Sequence, residues 1–379
     1  MRKVCIIGVG MTRFGKFIET GIEDLGRDAC WAAIKDAQID PKDIQVGFCS
    51  HSNGGRVAGQ RILKEVGIAG VEILNIENAC SGGSSAFRVG YCSVAGGFYD
   101  LAIVVGVDKM YGSGGLIPPN LEDLDGMVGR TLPGRYAMAI RRHMYEYGTT
   151  VEQLAKVSVK NHKYGVLNPY AQYQKEVTIE EVLNSRMVAD PLTLLQCCPA
   201  GDGSAALILC SDDLKKKYSN KKPIYVGASV VKSGKYFTAD TDITGMEFVS
   251  RAAKEAYDIF GGGPEDINVC ELHDAFTAAE IMHYENLGFC KKGEGGRLID
   301  EKRTEIGGMI SVNTSGGLLS RGHPLGATGV AQIVEIVCQL RGEAGRRQVA
   351  NAKVGLTETT GGAIPEIGNG ACSVNIFYS

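Results

Sequence analysis

The sequence predicts a duplicated α/β fold: two copies of one strand-and-helix unit, with a helical insertion in the first. Three observations carry this. Strand-like runs alternate with helix-like runs, the pattern of mixed or parallel sheets covered by helices. Landmarks of the first half recur in the same order in the second. The 379 residues also exceed the usual span of a single hydrophobic core.

The elements follow in order. A first strand, residues 4–9, ends at a glycine turn; Leu25, Ala29, Ala33 and Ala37 then fall at four-residue steps on a helix. Pro41-Lys-Asp-Ile-Gln-Val leads into the next strand. The apolar run Val71, Ile73, Leu74 and Ile76 predicts a buried strand, and residues 84–95, with Phe87, Tyr91 and Ala95 on one face, predict a helix after it. The second copy repeats this grammar. Residues 224–226 predict a strand, and Val249, Ala253, Ala256 and Phe260 a helix. Pro264-Glu-Asp-Ile-Asn-Val then opens a strand over 267–272. Asn78-Ala-Cys80-Ser-Gly-Gly is answered by Asn313-Thr-Ser-Gly-Gly, and Gly201-Asp-Gly-Ser by Gly368-Asn-Gly-Ala.

These echoes place one half at residues 1–110 and 191–215, the other at 221–379, and an inserted segment at 111–190. The insertion opens on turn residues (Gly112, Gly114, Gly115, Pro118, Pro119) and predicts helices over 136–147 and 150–164. Its Arg130, Arg135, Arg141, Arg142, Lys156, Lys160 and Lys163 stand against Glu146 and Glu152, as a solvated helical lid or as a basic surface for phosphates.

Composition narrows the function. A net charge of -3 with 44% hydrophobic residues excludes a mostly disordered chain and gives no general basic character for nucleic acid. No apolar run approaches the roughly twenty residues of a membrane helix, and the start is too short and glycine-broken for a signal peptide. Gly8 and Gly10 lack the spacing of a dinucleotide-binding turn. Twelve cysteines without Cys-x-x-Cys spacing point to free thiols in a reducing cytoplasm.

Most free cysteines are small buried apolar residues, so Cys80 stands out by its setting alone. It sits where a strand turns into a helix, facing unpaired amides and the positive helix end, which would lower a thiol pKa below about 8.5. Of six histidines, His273 and His323 lie in comparable settings. His273 ends a strand, where α/β sheets place their sites. His323 lies in a glycine-rich loop before the helix of Val330, Ile333, Val337 and Leu340. Asp274 either orients His273 or caps the helix that follows it. A thiol with two imidazoles suits acyl transfer through a thioester, one base taking the thiol proton while donors hold an oxyanion. A zinc site at these three would need a fourth ligand and would occupy the nucleophile, so no metal is expected.

Asn78-Ala-Cys80-Ser-Gly-Gly, His273-Asp-Ala-Phe and Gly322-His323-Pro-Leu-Gly-Ala-Thr-Gly together resemble the motifs of the thiolases, in particular the sterol-carrier-protein-2-type branch of archaea and bacteria. The resemblance implies duplicated βαβαβαββ halves with five-stranded mixed sheets in layers, and a loop domain over the site. It implies Cys80 as the acylated nucleophile, His323 as its base, and His273 with His323 around the second thioester oxygen. Another oxyanion hole would form from the Cys80 amide and a glycine amide near Gly361, with Asn313 and Asp274 as supporting residues. The implied reaction is CoA-dependent cleavage of a 3-oxoacyl-CoA or its reversal, a Claisen condensation, with coenzyme A as substrate and no bound cofactor.

The resemblance also implies a homodimer or dimer of dimers, and a small zinc-binding OB-fold (DUF35-type) partner like that of archaeal acetoacetyl-CoA and benzoylsuccinyl-CoA thiolases. The chain departs from the family at one point: Glu358-Thr-Thr-Gly-Gly362 lacks the cysteine of the Cys-x-Gly motif, and Ala275 stands where the branch can carry another. A decarboxylating or 3-hydroxy-3-methylglutaryl-CoA-synthase-like condensing enzyme, or a non-catalytic acyl-CoA-binding subunit, are the rival readings.

Overall fold

The computed structural model describes residues 1–111, 124–129 and 131–379. Its strands are β1 (Val4–Met11), β2 (Val46–Ser50), β3 (Glu72–Ile76), β4 (Leu101–Lys109), β5 (Met187–Ala189), β6 (Leu192–Thr193), β7 (Asp202–Ser211), β8 (Ile224–Lys232), β9 (Val269–Glu271), β10 (Ser311–Val312), β11 (Val354–Ile364) and β12 (Gly368–Tyr378). β5 and β6 form a small hairpin, and the other ten run β3-β2-β4-β7-β1-β8-β12-β11-β9-β10.

The order exposes the duplication. β2 is parallel to β3 and β4, and β7 is antiparallel to β4 and β1; β9, β10, β11, β12 and β8 repeat that pattern. The two five-stranded halves are therefore related across the β1–β8 seam. That seam consists of only two residue pairs, Cys5↔Tyr225 and Ile6↔Ile224. The expected two sheets are thus joined at their edges into one.

Strand alternation builds the layers, because successive side chains of a strand face opposite sides. In β4, Ile103 and Val105 face an outer core with Leu25, Ala29 and Ala33 of the Ile22–Ala37 helix. Ala102 and Val104 face a central core with Phe87, Val330, Ile333 and Val337. A third core joins the outer face of the second half to Ile140 and Leu154 of the insertion. The central layer is the pair of helices Gly82–Ala95 and Leu325–Arg341. They meet at glycines: a Cβ on Gly83 would lie 2.7 Å from the Gly326 carbonyl, and one on Gly329 would lie 2.5 Å from the Ser84 amide. Only hydrogen fits there, so the two helix N-termini converge.

Several expectations change. β3 is the edge of the sheet and largely exposed, with Leu74 40% accessible, because β2 covers only one side of it. β8 runs on through Gly227 to Lys232. In the insertion, the helices Leu132–Tyr147 and Val151–Gly165 are present, each opened by a threonine that caps it, Thr131 and Thr150. Its lysines do not make a basic surface. Lys160 is buried on Glu280, while Lys156 and Lys163 pair with Asp300 and Glu305, so they dock the lid onto the second half. The turn residues Gly112, Gly114, Gly115, Pro118 and Pro119, and Arg130, lie outside the described residues.

Candidate active site

Cys80 follows β3 in a single turn, Ala79–Ser81, that runs into the central helix. Ala79 is forced to φ 48°, a left-handed conformation unfavourable for a residue with a Cβ. The turn is held by Ala79 N donating to Glu77 Oε1 (2.6 Å), Ser81 N to the Asn78 carbonyl (3.0 Å), and Asn78 Nδ2 to Ser85 Oγ (2.9 Å). Gly361 of β11 presses against it: a Cβ there would lie 2.5 Å from Asn78 O and Ser81 N, and 2.9 Å from Cys80 N. The close backbone approach explains this glycine.

Three loops from both halves meet at one point. A thiol or ring-nitrogen atom from each of Cys80, His273 and His323 lies within 4.8 Å of the other two. The imidazoles meet edge to face with centroids 5.2 Å apart. His323 has a defined tautomer. The Thr328 hydroxyl donates its one proton to the Pro324 carbonyl (2.9 Å), so it accepts from His323 Nδ1 at 2.7 Å. Nδ1 therefore carries the hydrogen, and Nε2 keeps a lone pair for the thiol.

The electrostatics differ from the expectation of a lowered thiol pKa. Burial, then the negative charges of Asp108 and Glu77, push Cys80 up to about 12, and the backbone amide only partly opposes them. Burial also pushes His273 down to about 3 and His323 well below its ordinary range. Thiol and both imidazoles are thus neutral at neutral pH. The same three side chains are close enough to bind one metal ion, but Cys80 could not then act as a free nucleophile.

The supporting residues take other places than expected. Asp274 neither orients the His273 ring nor caps the following helix. It accepts from the amides of Leu318 (2.7 Å) and Leu319 (3.3 Å), capping the Gly317–Arg321 helix that leads to His323. Asn313 accepts from Leu272 N (2.9 Å) and donates to Glu280 (2.8 Å), so it braces the residue before His273 and is not shown as an oxyanion donor. Sequence reasoning passed over five residues beside the site. Cys198 donates its amide to Ala275 O (2.8 Å), Cys197 bridges to Phe276, and burial, then the neighbouring Cys197 and Cys80 thiols, push the Cys198 thiol well above its ordinary range. Tyr136 of the lid packs on Phe276 with ring centroids 4.7 Å apart and the planes tilted by 35°. Glu358 accepts from His273 N at 3.0 Å, and His283 lies 3.8 Å from that carboxyl. The Cys197-Cys198 pair was the one available signal. Tyr136 also walls a cleft of ≈ 1000 Å³ whose lining includes Arg135, Lys235, Phe237, Met246 and Lys292.

A duplicated α/β fold with a thiol and two imidazoles gathered from both copies defines an acyltransferase that works through thioesters. The chain belongs to the thiolase family: residues 4–213 match the thiolase N-terminal domain and residues 229–367 the thiolase C-terminal domain-like family. It is 43% identical to benzoylsuccinyl-CoA thiolase subunit BbsB of Thauera aromatica, over 95% of both chains. It is 42% identical to an acetyl-CoA acetyltransferase of Methanothermobacter thermautotrophicus over the full length of both. Among solved structures it is similar to an Ltp2-ChsH2(DUF35) aldolase, with a TM-score of 0.85 and 26% identity over 100% of this chain and 98% of that one. Human mitochondrial 3-ketoacyl-CoA thiolase shares the fold, with a TM-score of 0.74 and 18% identity over 100% and 99% of the chains. The protein is accordingly an acyltransferase of the thiolase type acting on acyl-CoA. Among the described residues no helix is long and apolar enough to cross a membrane.

Proposed function

We propose that the protein cleaves a 3-oxoacyl-CoA with coenzyme A, or runs the reverse Claisen condensation, through an acyl-Cys80 intermediate. The observation that carries this is the meeting of Cys80, His273 and His323 within 4.8 Å. His323 Nε2 takes the thiol proton as Sγ attacks the 3-oxo carbon, so neutral thiol and neutral base become an ion pair only as the new bond forms. The Cys80 and Gly361 amides receive the oxyanion on that carbon. The carbon–carbon bond then breaks, and the leaving acyl-CoA departs as an enolate whose oxygen faces the two imidazoles. Its carbon takes a proton, for which Cys198, beside Ala275, is the thiol at hand. Coenzyme A finally gives its proton to the Cys198 thiolate as its sulfur attacks the acyl-Cys80 carbonyl, and the proton held by His323 returns to Cys80.

The cleft behind Tyr136, lined by apolar side chains with Lys235 and Lys292 paired to Glu247, Asp242 and Glu285, has the size for a pantetheine arm. The Leu132–Tyr147 helix of the insertion forms one wall of it. The subunit name of one relative and the DUF35 partner in the aldolase structure support a two-protein assembly with a small zinc-binding OB-fold protein. A cytoplasmic homo-oligomer is the setting that fits these features.

The test incubates the protein, with and without such a partner, with 3-oxoacyl-CoA and coenzyme A. Cleavage and an acyl adduct on Cys80 by intact mass are expected, and both vanish in Cys80→Ser. An adduct without cleavage would favour a decarboxylating or 3-hydroxy-3-methylglutaryl-CoA-synthase-like condensing enzyme. Lack of any adduct under either condition would favour a non-catalytic acyl-CoA-binding subunit.

A further inference from the structure

Adjoining His273 lies a second group of buried titratable side chains that the reaction above does not use. Glu358, in the middle of β11, is fully buried. Its Oε2 accepts from the His273 amide at 3.0 Å, and Cys372 Sγ of β12 approaches Oε1 at 3.9 Å. Gln332 of the central helix holds its backbone carbonyl at 3.0 Å. His283, on the Thr277–Asn286 helix, is also fully buried, and its Nε2 lies 3.8 Å from Glu358 Oε2. Neither ring nitrogen of His283 has a hydrogen-bond partner among the described residues, nor does His273 Nδ1.

The other titratable groups facing this carboxyl are Asp274 beside His273, Cys270 of β9, Cys372 of β12 and Tyr136 of the lid. No lysine or arginine pairs with it among the described residues. A lone carboxylate in such a place is strongly disfavoured, and so is a lone imidazolium. A carboxyl and an imidazole that together keep one proton avoid both.

We propose that Glu358, protonated and facing a neutral His283, serves with it as a positioning pair for His273, fixing its main chain and setting the hydrogen bonding of its ring until that proton is lost. This rests on the reading that His273 lines the reacting thioester. Burial pushes Glu358 up to about 8 and His283 down to about 3, so the carboxyl is protonated and the imidazole neutral at neutral pH. When the carboxyl proton leaves to solvent, a negative charge appears on the oxygen that the His273 amide holds. The field at the two neutral imidazoles then changes, and with it the hydrogen-bonding role of the His273 ring beside Cys80. Cleavage should therefore fall on the alkaline side as the pair ionises, while the fold stays intact.

The experiment compares wild type, Glu358→Gln and His283→Gln across pH 6.5 to 9.5. Its readouts are kcat for cleavage, thermal midpoint, and ¹⁵N shifts of the imidazoles. Wild type should show an alkaline limb near pH 8, with the His273 and His283 shifts titrating along it. Glu358→Gln keeps an oxygen for the His273 amide but has no proton to lose. Its limb should disappear, with kcat at pH 9 at least about threefold higher relative to its own pH 7 value than in wild type, and its shifts should stay flat. His283→Gln removes the imidazole that helps the carboxyl ionise, so its limb should move to higher pH. An unchanged limb in both variants, or imidazole shifts in wild type that ignore this range, overturns the proposal. If Glu358→Gln does not fold, His283→Gln and the wild-type shifts decide it. Absence of a Cys80 adduct in wild type would instead sink the functional reading, and the imidazole titration stands apart from that outcome.

Discussion

The Cys80 thiol keeps its proton at neutral pH because burial and the charges of Asp108 and Glu77 outweigh the amides of its turn. A thiol–imidazole ion pair would alkylate at a rate that levels off near neutrality. Here the rate of Cys80 modification by iodoacetamide should keep rising past pH 9, and a plateau between pH 6 and 7 would show a preformed thiolate. Cys198 can be separated from Cys80 by step. Cys198→Ala should leave acylation of Cys80 by acetyl-CoA unchanged yet lower kcat for cleavage by about 100-fold or more, the usual scale for losing a general acid. Equal loss in both assays would mean a structural role. Cys80, His273 and His323 could be picked out in the sequence because Cys80 stands at a strand-to-helix turn, His273 at the end of a strand and His323 in a glycine-rich loop before a helix. Cys198, Glu358 and His283 could not, because what makes them notable lies on other strands and helices. The thiol's titration was misjudged for a related reason: a helix start is visible in sequence, but the burial and the acid of β4 that override it are not.

At the scale of elements, the site depends on backbone contacts that only glycine allows. Gly361→Ala would push a methyl against Asn78 O and the Ser81 and Cys80 amides, all backbone atoms that cannot swing aside. Acylation should fall by about 100-fold and the fold should lose about 1–3 kcal/mol, the usual range for overpacking. Gly67→Ala is the control. Its φ of 79° makes a side chain strained, but a Cβ there meets nothing within 4 Å, so stability drops slightly and acylation persists. If Gly67→Ala impairs acylation equally, the effect of Gly361 is general destabilisation. Asp274 shows how element-level reading slips. An acid just before a helix invites the reading of a local cap, yet it caps a helix more than forty residues later. In β3 the apolar run foretold a strand correctly, but composition could not say that one edge would be left uncovered.

Across the whole molecule, buried titratable groups of opposite sign set the pH dependence of stability. The imidazoles of His273 and His283, depressed from 6.5 to about 3, bind fewer protons folded than unfolded, so stability falls as pH drops through that range. Glu358, raised from 4.5 to about 8, binds more protons folded, so stability falls as pH rises through its range. Each fully buried group contributes about 1.4 kcal/mol per pH unit inside its window. Between pH 4.5 and 6.5 the two effects oppose each other. Thermal midpoints should therefore peak on the mildly acidic side and decline from pH 6.5 to 8. A maximum above pH 8 in differential scanning fluorimetry would contradict this. The duplication behind this arrangement was readable from ordered echoes such as Asn78 and Asn313. The fusion of the half-sheets was not, because the pairs at the seam involve residues with no pattern of their own.

That seam carries a consequence for the gene as well as the fold. The thiol comes from one copy and both imidazoles from the other, so a message cut between residues 219 and 220 would encode two fragments, each with only part of an acyl-transfer centre. The three side chains therefore gather only when both halves fold against each other, and the β1–β8 seam is, among the described residues, the one place where the two half-sheets join to bring them there.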